Sequence, residues 1–402
     1  MAETERPIKL KINCKGARTQ RKALGYLKSR YFFFNLRATN LERNFVSGSS
    51  EARYTTYIIL KKMESSRREF LCKSLAASAA SFLLPLNSVS AMDYTQSDFT
   101  TRQEVQRKKL LSLLGDLPNG HAPKPPRLIR KEQHPGYTLE YLEFDFNGIE
   151  PVPGILLVPE NRQKKAPCML YCHAHFGTYA IGKDELLDGR SVMPPYAPVY
   201  AEKGILTLAI DSWCFGERKG NTEMDAFKKM LWDGQTLFGM MLFDELKALD
   251  YLLSRPEADN KRVGVFGLSM GATKAWWLSA LDTRITSCLD LCCMTDFHEL
   301  INEKNLKGHG IYYYVPSLLK HFETKTINEL IVPRSHVSLN GRRDDLTPPK
   351  GVEKVNNHLV PLYKKYGRVE DCRIELFDCG HEELPEMRAI ITTWLDKYLI
   401  SA

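Results

Sequence analysis

The run Val263-Gly264-Val265-Phe266-Gly267-Leu268-Ser269-Met270-Gly271-Ala272-Thr273-Lys274-Ala275-Trp276-Trp277 decides how the rest of the chain is read. Its first residues are apolar, as a buried strand requires, and its last form a helical segment rich in Ala and Trp. Between them lies the pentapeptide Gly267-Leu268-Ser269-Met270-Gly271. A serine on a sharp strand-to-helix turn needs small neighbours, and the turn aims its hydroxyl away from the sheet. The helix N-terminus behind it favours negative charge developing in front. Ser269 is therefore the candidate nucleophile. A Gly-rich strand-helix turn of purely structural use is the alternative, and the flanking strand and helix weigh against it.

Outward from this point the chain alternates between strand and helix patterns. Strands are expected at Thr138–Phe146, Pro153–Val158, Cys168–Cys172, Ile205–Ile210, Arg262–Gly267, Ile285–Cys293, His336–Leu339 and Arg373–Phe377. The later ones are nearly continuous apolar runs, the mark of parallel strands covered on both faces. Leu242, Leu246, Leu249 and Leu253 form a one-sided helical stripe that stops at Arg255-Pro256. Met387, Ile390, Ile391, Trp394 and Tyr398 form another. The pattern predicts one α/β domain over 137–402, a mostly parallel twisted sheet with helices on both faces. Residues 92–136, with four prolines at 118, 123, 125 and 126, read as a helical lead-in followed by an extended arm. A long insertion over 295–333 carries His298, His309, Tyr312, Tyr313, Tyr314 and His321 and is expected to cap a pocket.

A serine hydroxyl needs a base, and the base needs an orienting acid. Asp344 follows the strand at 336–339, and His381 follows the strand at 373–377. Asp345 and Asp378 are the alternatives for the acid. The order Ser269, Asp344, His381, each just after a strand, is the order used by α/β-hydrolases. An oxyanion needs backbone N–H donors; Met270 supplies one, and His175 or Phe176, in the turn His173-Ala174-His175-Phe176-Gly177, supplies the other. His173 and His175 also have the spacing of a metal pair, but no Asp-His continuation follows, so neither metal nor cofactor is expected. Glu217 and Arg218, in a loop at the same sheet edge, are candidate substrate contacts, with a loop-pinning Glu–Arg or Asp211–Arg218 pair as the alternative. Tyr313 and Tyr314 are candidates to stack on a sugar ring, against simple packing of the cap.

Residues 137–400 resemble the branch of the α/β-hydrolase superfamily that contains dienelactone hydrolase-like and acetyl xylan esterase-like proteins. The resemblance rests on the 173–177 turn, on Asp211-Ser212-Trp213-Cys214-Phe215-Gly216-Glu217-Arg218, and on Asp244 ahead of Arg255-Pro256. Gly267–Gly271, Gly341–Pro348 and Gly380-His381 complete it. It implies an α/β-hydrolase fold with a small cap insertion and a serine esterase acting through an acyl-enzyme on short-acyl, acetyl-type esters of carbohydrates. Two positions depart from the pattern: Ala174 stands where Gly is usual, and Ala272 replaces a frequent third Gly. A serine peptidase of the prolyl oligopeptidase type would use the same triad but normally needs a further domain, and a catalytically silent binding module would keep the fold alone.

Charge separates the first part of the chain from the rest. Residues 1–91 hold 17 Lys/Arg against 6 Asp/Glu, while the remainder holds 39 against 42. A net charge of +8 would suggest nucleic acid as a partner, but the body is mildly acidic and that class is set aside. Arg67-Arg68-Glu69-Phe70-Leu71, a modest apolar run to Leu86 and Val89-Ser90-Ala91 resemble a twin-arginine export signal at 63–91. Residues 1–62 then read as a spurious or disordered extension, and the expected partners are the translocon during export and a carbohydrate ester, in a periplasmic or secreted setting. No run of about 18 apolar residues is present, so no membrane span is expected. Eight of the ten cysteines lie beyond residue 91; Cys372 and Cys379 bracket a strand and would sit ~20 Å apart, so buried free thiols are expected.

Overall fold

The computed structural model describes residues 96–118, 124–175, 177–189 and 194–401. The expected extension at 1–62 and export signal at 63–91 lie outside these residues. Among the described residues nine strands build a single sheet: β1 (Arg127–His134), β2 (Tyr137–Phe144), β3 (Val152–Pro159), β4 (Ala166–Cys172), β5 (Leu206–Ile210), β6 (Ala258–Leu268), β7 (Ser287–Leu291), β8 (Ser335–Gly341) and β9 (Cys372–Phe377). Their spatial order is β1-β2-β3-β5-β4-β6-β7-β8-β9. The pairs among β1, β2, β3 and β5 are antiparallel, and every pair from β5 through β4 to β9 is parallel. The eight expected strands are all present.

The ninth, β1, corrects the reading of 124–136 as an extended arm. Its sequence Arg-Leu-Ile-Arg-Lys-Glu-Gln-His has no apolar alternation to announce a strand, and most of its residues are exposed. It is held by backbone pairing to β2, interrupted by a bulge between Leu128 and Arg130. Arg130 lies 3.4 Å over the Tyr141 ring, and Arg127 pairs with Glu143 at 2.8 Å.

Helices cover both faces, as the nearly continuous apolar strands demand. Along β4, Cys168, Leu170 and Cys172 join one core cluster while Met169 and Tyr171 join the other, the two-residue period of a strand. The first cluster packs against α1 (Gln96–Ser112), α5 (Leu237–Ser254), α6 (Met270–Leu281) and α9 (Pro349–Lys365). The second packs against α3 (Tyr196–Glu202) and α10 (Pro385–Leu395). Short helices complete the set: α2 (Glu185–Asp188), α4 (Glu223–Trp232), and, in the insertion between β7 and β8, α7 (Phe297–Asn302) and α8 (Thr324–Asn328). All eight cysteines of the described residues are free, and all but Cys372 are buried. No helix of the described residues is long and apolar enough to cross a membrane.

Candidate active site

The turn that carries Ser269 is tightly built. Ser269 sits between β6 and α6 at φ 59° and ψ −118°, a region that side chains other than Gly avoid and that costs of order 1–3 kcal/mol. The two glycines around it permit the turn by close approach. A Cβ on Gly267 would lie 2.2 Å from the Gly271 carbonyl carbon, and one on Gly271 would lie 1.9 Å from the Cys172 carbonyl oxygen. The second contact seats the elbow directly on the end of β4. Met270, the first residue of α6, carries one of the N–H groups that have no partner within a helix.

Strand order brings the other candidates to the same edge. His381, after β9, donates from Nδ1 to Asp344 Oδ2 at 2.7 Å. Asp344 Oδ1 accepts the Leu346 N–H at 2.9 Å, so both carboxylate oxygens are engaged and the side chain is held in one orientation. The imidazole side chain is 25% exposed while that of Asp344 is 1% exposed, leaving the ring reachable from solvent. Of the alternative acids, Asp378 is bound to Arg343 at 2.7 Å on the surface, and Asp345 is exposed. The Ser269 N–H donates to Leu291 O at 2.9 Å. The next residue, Cys292, has its sulfur, an Asp344 carboxylate oxygen and a His381 nitrogen within 4.8 Å of one another. No hydrogen bond joins the Ser269 hydroxyl to His381; such bonds are often long until substrate is present.

The turn after β4 lies beside the elbow, because β4 and β6 are neighbours. His173 is fully buried, its Nδ1 bonded to Ala174 O at 2.8 Å and its Nε2 accepting the Ser212 N–H at 3.1 Å. Burial holds its pKa well below the usual value, with the nearby Lys274 charge acting in the same direction, so the ring is neutral and structural. The Ala174 N–H is taken by the Glu185 carboxylate at 3.1 and 3.2 Å. His175 accepts the Gly177 N–H at Nδ1, 3.2 Å away, and faces Glu223 Oε2 at 3.3 Å through Nε2. The ring nitrogens of both histidines thus face partners within the protein. Phe176 lies outside the described residues.

The remaining candidates are placed differently. Arg218 is buried and bound by Asp244 at 2.9 Å and Glu150 at 2.7 Å, with its guanidinium 4.4 Å from the Trp213 ring centre. It is a pin of the loop and not a free site contact. The alternative Asp211–Arg218 pairing is formed through the backbone: Arg218 donates to the Asp211 carbonyl at 2.9 Å, and the Asp211 carboxylate binds Lys183 at 2.9 Å. Glu217 is 69% exposed and also bound to Lys183, at 2.6 Å. Tyr313 is buried, stacked on His309 at 4.4 Å. With Tyr314 it lines an apolar cavity of about 420 Å³ inside the insertion, among Phe297, Leu300 and Leu318. Ser269, Asp344 and His381 are not among its walls.

Sequence reasoning missed the buried charges beneath the site. Lys274 on α6 is fully buried and bonds to Ser212 Oγ at 2.7 Å and Glu245 at 2.8 Å. Through Ser212 it is tied to His173, so one network joins the elbow helix, α5 and the turn after β4. A lysine in an otherwise Ala/Trp-rich helix was the available signal.

The sheet, its strand order and the elbow define an α/β-hydrolase. The chain matches the family described as Abhydrolase family over residues 54–347, and it belongs to that family. The match includes Ser269 and Asp344 and ends before His381. YtaP of Bacillus subtilis (strain 168), named as a hydrolase, is 41% identical over 296 residues, 73% of this chain and 99% of that protein. Among solved structures, a Bacteroides fragilis protein described as an acetyl xylan esterase superposes with a TM-score of 0.60 at 18% identity, covering 76% of this chain and 89% of that one. A glucuronoyl esterase from Solibacter usitatus gives 0.57 at 15% identity, covering 78% and 98%. These likenesses establish a shared fold.

Proposed function

We propose that the chain is a serine esterase that hydrolyses short-acyl, chiefly acetyl, esters of carbohydrates. The observation that carries the reading is the 2.7 Å bond between His381 Nδ1 and a buried Asp344 at the sheet edge that also presents Ser269. In this reading Asp344 fixes the tautomer that leaves His381 Nε2 free to accept a proton. Ser269 Oγ attacks the ester carbonyl and its proton passes to Nε2. The carbonyl oxygen becomes an oxyanion, facing the Met270 N–H and an N–H of the 175–176 turn. Collapse expels the alcohol, which takes the proton from His381. Water then attacks the acyl-enzyme with His381 as base, releasing the acid and restoring Ser269.

Support for a carbohydrate alcohol comes from the two named structures, which share the fold, and from aromatic faces beside the turn. Tyr179, 38% exposed and 5.1 Å from His175, offers such a face, whereas Tyr313 is covered by His309. The Arg67-Arg68 segment supports export through the twin-arginine route before the enzyme meets its substrate. A fluorophosphonate probe and a chain-length series of p-nitrophenyl esters test the reading together. Labelling at Ser269 with peak turnover on acetyl is the expected result. Absent labelling defeats the serine mechanism, and preference for long chains defeats the acetyl assignment.

A further inference from the structure

Among the described residues, two groups of three side chains place potential metal ligands within 4.8 Å of one another: Cys288 with Asp290 and His336, and Cys292 with Asp344 and His381. The first is sealed in the sheet. All three residues are buried, with Asp290 and His336 wholly shut off from solvent, so no cation has a route to them. The second opens to solvent through His381, whose side chain is 25% exposed. Cys292 has no part in the ester chemistry proposed above, yet it holds a left-handed backbone, φ 55°, that is unusual for a side-chain-bearing residue. That backbone puts its sulfur beside the carboxylate and the imidazole. Sulfur, nitrogen and oxygen donors at such spacing form a set that a thiophilic divalent cation, above all Zn2+, prefers.

We propose that Cys292 Sγ, His381 Nδ1 and Asp344 Oδ2 form an inhibitory zinc site. Zinc holds nitrogen and oxygen at about 2.0–2.2 Å and sulfur at about 2.3 Å in a tetrahedron. The Nδ1···Oδ2 separation of 2.7 Å must therefore widen by roughly 0.6–0.8 Å. The partly exposed histidine ring supplies that movement, and water occupies the fourth position. The protons balance simply. The Cys292 S–H proton leaves to solvent. The Nδ1 proton is exchanged through solvent onto Nε2, so the imidazole stays neutral and one proton is released per zinc bound. His381 then carries N–H at Nε2 and cannot accept the Ser269 proton, the same tautomer fault that cripples a triad whose Asp becomes Asn. The inhibitory consequence rests on the esterase reading; the binding does not.

The test separates the two. Zinc binding to the full chain is measured by competition with a chromophoric chelator, without substrate, for the unaltered protein, Cys292→Ser and His381→Ala. Esterase rates of the unaltered protein and Cys292→Ser are measured across buffered Zn2+, each relative to its own zinc-free rate. The expected result is one zinc per chain, lost in both variants, with half-inhibition moved at least about 10–100-fold higher in Cys292→Ser. Cys292→Ala replaces the serine variant if that one fails to fold. Zinc uptake by the Cys292 variant equal to that of the unaltered protein overturns the site. Equal sensitivity of the two rates to zinc overturns the inhibition. Binding as expected in a protein that hydrolyses no ester leaves the site standing and removes the esterase reading instead.

Discussion

Ser269, with φ 59° and ψ −118°, is held in a strained backbone that a core serine has no reason to adopt. Ser269→Ala and His381→Ala are each expected to lower ester turnover by about 10³–10⁶-fold while leaving the circular dichroism spectrum unchanged. Asp344→Asn should be severe as well, whereas Asp345→Asn, at an exposed position, should stay within about twofold of the parent rate. A damaging Asp345 change with a harmless Asp344 change would reassign the acid. His173 gives a pH prediction of known sign. Burial lowers its pKa in the folded chain, and His309, half-buried against Tyr313, is shifted the same way by desolvation. Below about pH 6.5 the unfolded histidine takes up a proton that the folded one refuses, so stability must fall as pH drops. Urea midpoints between pH 8 and 5 should show it, with a slope approaching about 1.4 kcal/mol per pH unit per histidine. His173→Asn should flatten part of that slope.

At the level of elements, the elbow and the turn after β4 behave as one body because Gly271 touches Cys172 O. Gly271→Ala, whose Cβ would fall 1.9 Å from that oxygen, is expected to destabilise the fold by more than about 4 kcal/mol or prevent it. Lys274→Met should lose about 3–5 kcal/mol by leaving Glu245 buried and unpaired, and adding Glu245→Leu should recover most of it. Urea unfolding of the three proteins decides the matter. These elements also show what a sequence exposes. The elbow was legible because Gly-x-Ser-x-Gly between an apolar strand and a helix has few other uses, and the parallel strands were legible because burial on both faces leaves continuous apolar runs. The edge strand β1 was not, since a strand held by backbone bonds needs no pattern. Nor were Lys183, Glu185 and Glu245, because a charge that finds its partner in the interior looks, in one dimension, like a charge facing water. Cys292 was hidden for another reason: its position beside His381 depends on three strands meeting at one edge.

For the molecule as a whole, the body begins with α1, not with the sheet. Gln103 bonds to the carbonyls of Glu329 and Val332 at 2.8 Å, Arg107 reaches Ala280 O at 2.8 Å, and Phe99 and Leu110 are buried. Compared with a chain starting at Met92, one starting at Gly115 is expected to lose at least about 3–5 kcal/mol or become insoluble. Calorimetry on the two lengths tests this, and equal melting of the shorter form would show that α1 is dispensable. At the far side of the sheet from β9, β1 has a different consequence. Its bulge, and the charged Arg127, Arg130, Lys131 and Glu132 along it, leave an outermost ribbon that another copy cannot zip onto without burying charge. The sheet has its second edge at β9, so this charged margin disfavours strand-by-strand growth from one side of the molecule only.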